Sequence, residues 1–290
     1  MKVLLTGANG QLGQSLIHHT ERTGSREWIA TDYHELDITN FGEVEKAFIQ
    51  HAPDAVVNCA AYTAVDKAET EPDLAWQINA LGPENLAKAC KRFGSLLVHI
   101  STDYVFPGTG FRPYREEDPT GPPSRYGQSK LDGELAVKAW NPRSLTLRTS
   151  WLYSAYGNNF VKTMMRLGAE RSSIRVVSDQ TGSPTWAHDL ATAILSLLKH
   201  YHENPALLNE AELYHLCNTG TASWFDLATA IMEIAKLPCQ VIPIATEEYP
   251  LPAPRPFFSV METRKIRQDF GMELPYWRTS LENCIRIIQG

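Results

Sequence analysis

Tyr126 and Lys130 are the two residues of this sequence whose types and spacing most directly indicate chemistry. The pattern from Arg125 to Trp140 predicts a helix, and residues four apart share one helix face, so a phenol and an ammonium lie side by side. A neighbouring positive charge lowers the pKa of a phenol, which makes it a better proton donor near neutral pH. The pair therefore predicts a site that protonates a carbonyl oxygen, although many ordinary helices contain the same spacing by chance.

Thr102 supports this interpretation because of its place along the chain. Leu96 to Ile100 has the apolar pattern of a buried strand, and Thr102 follows at its carboxyl end. Open α/β sheets bind their ligands at that edge. A hydroxyl there can hold a substrate oxygen while Tyr126 donates a proton to it. The alternative is an ordinary turn in which the hydroxyl bonds the local backbone.

Three glycines near the start of the chain predict a phosphate-binding turn. They lie between a predicted strand, Lys2 to Thr6, and a predicted helix. Backbone N–H groups at the positive end of a helix bind phosphate, and a glycine without a Cβ permits close approach. The spacing is Gly-x-x-Gly-x-x-Gly instead of the usual dinucleotide fingerprint, so a plain turn is the alternative. The predicted pyrophosphate-binding residues are Gly7, Gly10, Gln11, Leu12 and Gly13.

Asp32 predicts the kind of dinucleotide. It ends a predicted strand, Trp28 to Thr31, and lies nineteen residues after Gly13. An acid about 20 residues beyond the glycines holds the ribose hydroxyls of NAD. Its charge should repel the 2′-phosphate of NADP, so NADH is favoured over NADPH. A solvated loop acid is the alternative.

Four longer strings, together with the glycine turn and the Tyr-x-x-x-Lys pair, give the sequence a family resemblance. It resembles the dTDP-4-dehydrorhamnose reductases of the extended short-chain dehydrogenase/reductase superfamily, essentially from end to end. The resemblance implies a dTDP-sugar substrate, dTDP-4-dehydro-6-deoxy-L-mannose, whose C4 ketone is reduced to give dTDP-L-rhamnose. It also implies NADH or NADPH as cofactor. The strings are Ala61 to Glu69, Ser101 to Gly108, Arg148 to Tyr153 and Gly157 to Met164.

The resemblance also implies roles for individual residues. Tyr126 would be the proton donor, Lys130 its partner and Thr102 a contact of the substrate. Trp151 closes a strand-like run, where a large ring can pack against a sugar or a base, or lie in the core. Arg255 and Lys162 can pair with a diphosphate, or remain solvated. The other predicted contacts are Asp37, Ile38, Ala61, Tyr62 and Thr63 for the cofactor, and Asp103 and Asn159 for the substrate.

One departure separates this chain from nucleotide-sugar dehydratases of the same superfamily. Those enzymes typically follow the threonine with Asp-Glu, the glutamate serving as a base, whereas here Asp103 is followed by Tyr104. Elimination is therefore disfavoured and ketone reduction is favoured. Two alternatives stay open. One is an epimerase or reductase of another nucleotide sugar, because fold alone does not define function. The other is a non-catalytic module similar to the regulatory subunit of methionine adenosyltransferase.

The alternation of predicted strands and helices up to about residue 170 indicates an α/β fold, a Rossmann-type doubly wound parallel sheet. We divide the chain into a dinucleotide-binding domain, 1–170, and a smaller C-terminal α/β substrate lobe, 171–290, from which segments can return to the first domain. Ser124 and Ser223 are predicted helix caps. The irregular stretch 106–123 is expected to border the substrate. Helical patterns fall near 40–50, 72–92, 125–140 and 159–170, and strands near 54–58, 96–100 and 145–151.

Composition limits the classes of protein that fit. Of 290 residues, 43% are hydrophobic, which is typical of a globular protein, and the net charge of −6 without a long basic run argues against nucleic-acid binding. The five cysteines are odd in number and widely spaced, which favours a reducing compartment. No metal site is predicted, since the paired histidines lack further ligands. Without a signal peptide or a membrane span, a cytoplasmic protein is expected. A homodimer is compatible with the resemblance.

Overall fold

The computed structural model describes residues 1–23, 27–141, 143–208 and 210–290. None of the helices in these ranges is long and apolar enough to cross a bilayer. The strands are β1 Lys2–Thr6, β2 Glu27–Thr31, β3 Ala55–Asn58, β4 Leu96–Thr102, β5 Ser144–Thr149, β6 Leu152–Tyr153, β7 Ser173–Val177, β8 Thr181–Gly182, β9 Thr185–Trp186, β10 Glu212–His215, β11 Ala222–Ser223 and β12 Gln240–Ile244. The α-helices are α1 Gln11–Thr23, α2 Phe41–His51, α3 Pro72–Trp76, α4 Gly82–Phe93, α5 Arg125–Trp140, α6 Phe160–Glu170, α7 Ala187–Glu203, α8 Trp224–Ala235, α9 Arg264–Phe270 and α10 Trp277–Gln289.

The main sheet is parallel throughout, with the strand order β10-β5-β4-β3-β1-β2. β2 lies on one side of β1 and β3 on the other, so the direction of winding reverses between them. Doubly wound folds bind their ligands in the crevice at such a switch point, beyond the carboxyl ends of the strands. The predicted fold class is confirmed.

Helices cover both faces of this sheet because its strands are apolar on both sides. Along β1, Val3 and Leu5 belong to the buried cluster that contains α1 and α7, whereas Leu4 belongs to the cluster with α2 and α4. Successive side chains of a strand point to opposite faces, so an uninterrupted apolar run is what a doubly covered parallel strand needs. The same alternation recurs along β3 and β4.

Serine caps define the starts of two helices that carry site residues. The Ser124 hydroxyl accepts a hydrogen bond from Gly127 N at 3.1 Å at the start of α5. At the start of α8, Ser223 accepts from Asp226 N at 3.0 Å, and the Asp226 carboxylate accepts from Ser223 N at 2.8 Å. Both predicted caps are confirmed, and each contributes about 1 kcal/mol to stability.

The helix predicted near 72–92 is interrupted in its middle. A π-helical turn, Gln77–Leu81, joins α3 to α4, and such insertions are frequent at functional sites. The turn directs Asn79 inward, where its amide donates to Ser129 Oγ at 3.0 Å and its carbonyl accepts from Tyr62 N at 2.8 Å. This polar contact fastens the α3–α4 pair to α5.

Buried apolar residues divide the chain differently from the predicted boundary at residue 170. α7 lies beyond 170 but packs with α1, and β10 completes the edge of the main sheet beside β5. α6 lies before 170, but its Val161 and Met164 pack with α8 and α10 in a second cluster. We propose that the sheet domain comprises 1–149, 187–216 and 264–274, and that the remainder forms the substrate lobe.

Candidate active site

The glycine turn between β1 and α1 has the geometry of a phosphate cradle. Gly7 has φ +69°, and a Cβ there would lie 2.5 Å from Ala60 N. A Cβ on Gly13 would lie 2.4 Å from Gly7 O, so glycine is needed for the helix to approach the strand this closely. Gly10 N donates to Gly7 O at 3.1 Å and closes the turn at the amino end of α1. The turn fits a pyrophosphate.

A cleft of about 570 Å³ opens beside this turn, at the carboxyl ends of the parallel strands. It joins the glycine turn, the end of β4 and the first turns of α5, which are far apart in the sequence. The three predicted catalytic residues, Thr102, Tyr126 and Lys130, therefore share one cavity. The predicted residues that line it are Gly10, Gln11, Leu12, Gly13, Ala61, Thr63, Thr102, Asp103, Tyr126, Lys130 and Trp151.

Tyr126 is buried in the first turn of α5, with its ring edge-on to Tyr104 at a centroid distance of 5.6 Å. Burial raises the pKa of the phenol to about 12, and a hydrogen bond with Thr102 opposes this change. The prediction that Lys130 lowers this pKa is wrong, because burial dominates and the lysine ammonium faces a backbone carbonyl instead. A phenol is protonated at neutral pH even at its ordinary pKa, so the raised pKa leaves the proton in place and makes it harder to donate.

Lys130 is buried one turn further along α5, and its Nζ donates to Ile100 O at 2.6 Å. Burial lowers the pKa of the ammonium to about 8, while the negative charge of Glu134 opposes this change. Arg148 holds Glu134 through two hydrogen bonds of 2.8 and 2.7 Å. Within the described part of the chain, Ile100 O is the one hydrogen-bond acceptor of the ammonium, so donors remain for a ribose hydroxyl.

Both interpretations of Thr102 hold at once. Its hydroxyl accepts a hydrogen bond from Tyr104 N at 3.2 Å, which is the local turn considered as the alternative. The same hydroxyl donates to Asp103 Oδ1 at 3.1 Å and lines the cleft. The backbone thus orients a hydroxyl that can exchange its carboxylate partner for a substrate oxygen.

Asp103 is a buried carboxylate, and one of its two oxygens has no hydrogen-bond partner among the described residues. Oδ1 accepts from Thr102, whereas Oδ2 has no hydrogen-bond partner among the described residues. Burial raises the pKa of this carboxyl to about 6, although the neighbouring Ser259 and Thr102 hydroxyls lower it. A buried polar atom without a partner costs free energy, so Oδ2 is well suited to accept a hydrogen bond from a substrate hydroxyl.

We expect Asp103→Asn to stabilise the protein near neutral pH. The folded-state pKa of about 6 lies above the ordinary value of 3.8, so this carboxyl's contribution to stability is lost as pH rises through that folded-state value. Relative to Asp103→Asn, the unfolding free energy of the wild type should fall by about 1.4 kcal/mol per pH unit between about pH 4 and about pH 6. Urea denaturation measures this slope. The exposed Asp73→Asn is the control, and parallel curves for wild type and Asp103→Asn would contradict the raised pKa.

A smaller cavity of about 400 Å³ lies between the glycine turn and the end of β2. The Asp32 carboxylate is there, and it accepts hydrogen bonds from Asn9 N at 2.9 Å and Tyr33 N at 2.8 Å. Asp37 and Ile38 line the same cavity, and its described lining includes no lysine or arginine. An acidic wall without a cation fits ribose hydroxyls better than a 2′-phosphate.

Tyr62 differs from its neighbours Ala61 and Thr63, since it lines neither of these cavities. Its hydroxyl donates to Glu71 Oε2 at 2.5 Å, and its ring packs in a small cluster with Tyr126. A contact between the Tyr62 side chain and the cofactor therefore stays a prediction without support from this geometry.

Trp151 lines the cleft and carries a strained backbone. Its φ of +46° lies in the left-handed region, which costs a residue with a side chain about 1–2 kcal/mol. Its indole stacks on Trp224, with ring centroids 3.6 Å apart and planes 4° from parallel. The sequence predicts Trp151 as a site residue but does not predict Trp224. Trp224 is the first residue of α8, and the apolar pattern of that helix does not distinguish it from a core residue.

A third cavity, of about 540 Å³, lies in the substrate lobe. Arg255 lines it and is not solvated, since Arg255 Nη2 donates to Asp66 Oδ2 at 2.9 Å. Aromatic surface beside positive charge fits a nucleotide. The cavity is also lined by aromatic and cationic side chains, which are Phe160, Tyr249, Arg171 and Arg175.

Asn159 and Lys162 have structural partners and line none of these three cavities. Asn159 caps α6, because its side-chain oxygen accepts from Lys162 N at 3.1 Å and its amide donates to Ser154 O at 2.7 Å. Lys162 Nζ donates to Ala155 O at 3.3 Å. Their contact with substrate stays a prediction. Asn158, which was not predicted, does line the catalytic cleft.

The irregular stretch 106–123 does not line the catalytic cleft in the part of the chain that is described. It packs against the segment 257–262, where Tyr114 N donates to Val260 O at 2.8 Å. Phe106 stacks on Tyr114, with centroids 4.3 Å apart, in a separate buried cluster. That this stretch borders the substrate stays a prediction without support from this geometry, because its apolar side chains pack in that cluster.

The sheet, the glycine turn and the buried Tyr–Lys pair together define a class, the dinucleotide-dependent reductases of the short-chain dehydrogenase/reductase type. Within this class, the family of the protein can be named. The chain belongs to the family described as the RmlD substrate binding domain, whose model matches residues 1–289. The family resemblance seen in the sequence is confirmed.

Individual relatives match over the same length. The spore coat polysaccharide biosynthesis protein SpsK of Bacillus subtilis is 42% identical over 285 residues, which cover 98% of this chain and 97% of that protein. A dTDP-4-dehydrorhamnose reductase of Burkholderia thailandensis is 42% identical over 295 residues, which cover 99% of this chain and 98% of that protein. The crystal structure of dTDP-4-dehydrorhamnose reductase from Bacillus anthracis in complex with NADP has a TM-score of 0.93 and 41% identity, with 99% of each chain covered.

Proposed function

We propose that this protein is an NAD(P)H-dependent oxidoreductase that reduces the C4 ketone of dTDP-4-dehydrorhamnose to dTDP-L-rhamnose, the last step in the synthesis of that nucleotide sugar. The observation that carries the proposal is the convergence of Tyr126, Lys130 and Thr102 with the glycine turn in one cleft. A full-length relative at 42% identity bears the reductase name, and a solved relative binds NADP. Both support the proposed reaction and the class of cofactor.

Different residues of the chain have different roles in the proposed reaction. The glycine turn would hold the pyrophosphate, and the cavity at Asp32 would hold the adenosine ribose. When bound, the reduced nicotinamide supplies the hydride for the carbonyl carbon. Tyr126 donates a proton to the carbonyl oxygen, Thr102 holds that oxygen, and Lys130 bonds the nicotinamide ribose.

Proton transfer leaves a phenolate in a buried site, which is unfavourable without hydrogen-bond donors. The hydrogen bond between Thr102 and Tyr126 offsets part of this cost, since it lowers the pKa of the phenol. Lys130 lies one helical turn further along α5, where its ammonium donates to Ile100 O. The hydrogen bond with Thr102 supports Tyr126 as the acid, because it stabilises the phenolate that remains after the proton has left.

Two cavities support a placement of the sugar nucleotide. The sugar would lie in the catalytic cleft against Trp151, and the nucleotide would lie in the third cavity, where Arg255 could reach the diphosphate. Arg255 is half-buried and pairs with Asp66, with 14% of its side chain exposed. This pairing orients the guanidinium and leaves part of its fork for a phosphate.

Tyr104 favours reduction over elimination. It occupies the position at which related dehydratases carry a glutamate base, and burial raises the pKa of its phenol. A phenol that stays protonated cannot take a proton from the sugar at neutral pH. The geometry therefore gives no support to a dehydratase, whereas a reductase needs no base at this place.

The experiment that tests the proposal follows the absorbance of reduced cofactor at about 340 nm. dTDP-4-dehydrorhamnose is prepared in the same vessel, and NADH and NADPH are tried separately. Oxidation that requires this sugar and yields dTDP-L-rhamnose is expected. The 4-keto sugars of UDP and GDP are the controls. A preference for one of them would indicate another nucleotide-sugar reductase, and no oxidation with any sugar would favour the non-catalytic alternative.

A cytoplasmic location is part of the proposal. Nucleotide sugars and reduced nicotinamide cofactors are cytoplasmic metabolites. The five cysteines are all free, which is typical of a reducing compartment. Fractionation of cells that express the protein would test this location.

A further inference from the structure

Trp224 lies where the catalytic cleft and the third cavity meet. Among the described residues that line these two cavities, Trp224 is the one they share. One face of its indole stacks on Trp151, with ring centroids 3.6 Å apart. A ligand that occupies both cavities must therefore pass this pair of indoles.

The substrate lobe fixes the position of Trp224. It is the first residue of α8, and its capping neighbour Ser223 pairs with Thr181 across β11 and β8. Trp224 Nε1 donates to Gln180 Oε1 at 3.2 Å, and Phe160 packs on the ring with centroids 4.7 Å apart. Phe160 and Gln180 both line the third cavity, so the contacts that hold Trp224 come from that side.

Trp151 depends on Trp224 for its own position. Its indole lies against Gly182, where an added Cβ would be 2.5 Å from Trp151 Cε2. Trp224 stacks on the same indole. A left-handed backbone at a residue with a large side chain persists only where its surroundings hold it in place. Thr185 N donates to Trp151 O at 3.2 Å and holds the backbone, whereas Gly182 and Trp224 contact the ring, so removal of Trp224 uncovers one face of the indole.

We propose that Trp224 is a positioning residue for the reduction. It holds Trp151 against the sugar in the cleft, and because it also lines the third cavity, it couples the binding of a nucleotide there to the position of Trp151. This inference rests on the proposed function. Neither indole transfers a proton, so Trp224 acts on the placement of the sugar and not on the binding of the cofactor.

Kinetics of three variants test the role of Trp224. Trp224→Ala should lower kcat by about 10- to 100-fold, because a small misplacement of a substrate is enough for such a loss, and the Kd for NADH should not change. Trp224→Phe should recover most of the rate, since a phenyl ring can still stack on Trp151. Phe225→Ala is the matched control. Phe225 is the next residue of α8 and lines a separate surface pocket, so its truncation should leave kcat unchanged.

Circular dichroism tests the coupling independently of turnover. Two stacked indoles give an exciton couplet when their transition dipoles are rotated relative to one another in the ring plane. A couplet from this pair should disappear in Trp224→Phe and persist in Phe225→Ala. Addition of dTDP alone should change the couplet of the wild type. Wild-type kcat in Trp224→Ala, or a couplet that does not respond to dTDP in a wild type that turns over the sugar, would overturn this inference and leave the proposed function standing. A wild type without turnover would overturn both.

Discussion

Tyr126→Phe should lower kcat by about 10²- to 10⁴-fold, because it removes the proton donor and little else. The phenol lies beside Thr102, and its raised pKa keeps it protonated at neutral pH. Phenylalanine keeps the ring that packs edge-on to Tyr104, so the fold and the Kd for NADH should change little. Steady-state rates with dTDP-4-dehydrorhamnose, together with a fluorescence titration of NADH, measure both quantities.

Tyr214→Phe is the control for that substitution. It also removes a buried phenol hydroxyl, one that donates to Asp269 Oδ2 at 3.0 Å, but Tyr214 lies on the edge strand β10 and does not line the cleft. Its kcat should match the wild type. A Tyr126→Phe enzyme that keeps more than about one tenth of wild-type kcat would exclude Tyr126 as the general acid.

The second large effect concerns the cofactor. We expect kcat/KM to be about 100-fold higher with NADH than with NADPH, because the Asp32 carboxylate would face the 2′-phosphate and juxtaposed like charges cost several kcal/mol. No described lysine or arginine lines that cavity to compensate. A solved relative at 41% identity binds NADP, so the preference has to be measured on this chain.

Asp32→Asn isolates the charge in that preference. The amide keeps one oxygen, so it can accept from Asn9 N or from Tyr33 N but not from both. It repels no phosphate, so kcat/KM with NADPH should rise about 10- to 100-fold. Glu35→Gln is the control, because Glu35 bonds Asp32 N at 2.9 Å without lining the cavity. It should leave the ratio of the two cofactors unchanged. Equal use of NADH and NADPH by the wild type would show that Asp32 does not select the cofactor.

Local signals in the sequence are sufficient to predict most of the sheet domain. The apolar run at 96–100 predicts β4, and the caps at Ser124 and Ser223 predict the starts of α5 and α8. Strand alternation, capping and glycine turns each involve residues that are close together in the chain. For the same reason, the π-turn at Gln77–Leu81 is missed, since it breaks the helix only where tertiary contacts draw Asn79 inward.

The pKa of Tyr126 shows a second property that the sequence alone does not predict. The i, i+4 spacing with Lys130 correctly predicts that both side chains lie on one helix face, and both line the cleft. The direction of the pKa change is nevertheless opposite to the prediction, because burial outweighs the neighbouring charge. Burial depends on every element packed around α5, and no short window of sequence contains that information.

By itself the sequence determined the fold class, the glycine turn, the family, and that Tyr126, Lys130 and Thr102 lie together. Each of these follows from local patterns or from strings long enough to identify relatives. The tertiary structure alone decided which helices pack in which buried cluster, which predicted contacts line a cavity, and that Trp224 stacks on Trp151. Those properties depend on contacts between residues distant in the chain and on the exclusion of water from between them, and both come into being only when the elements pack.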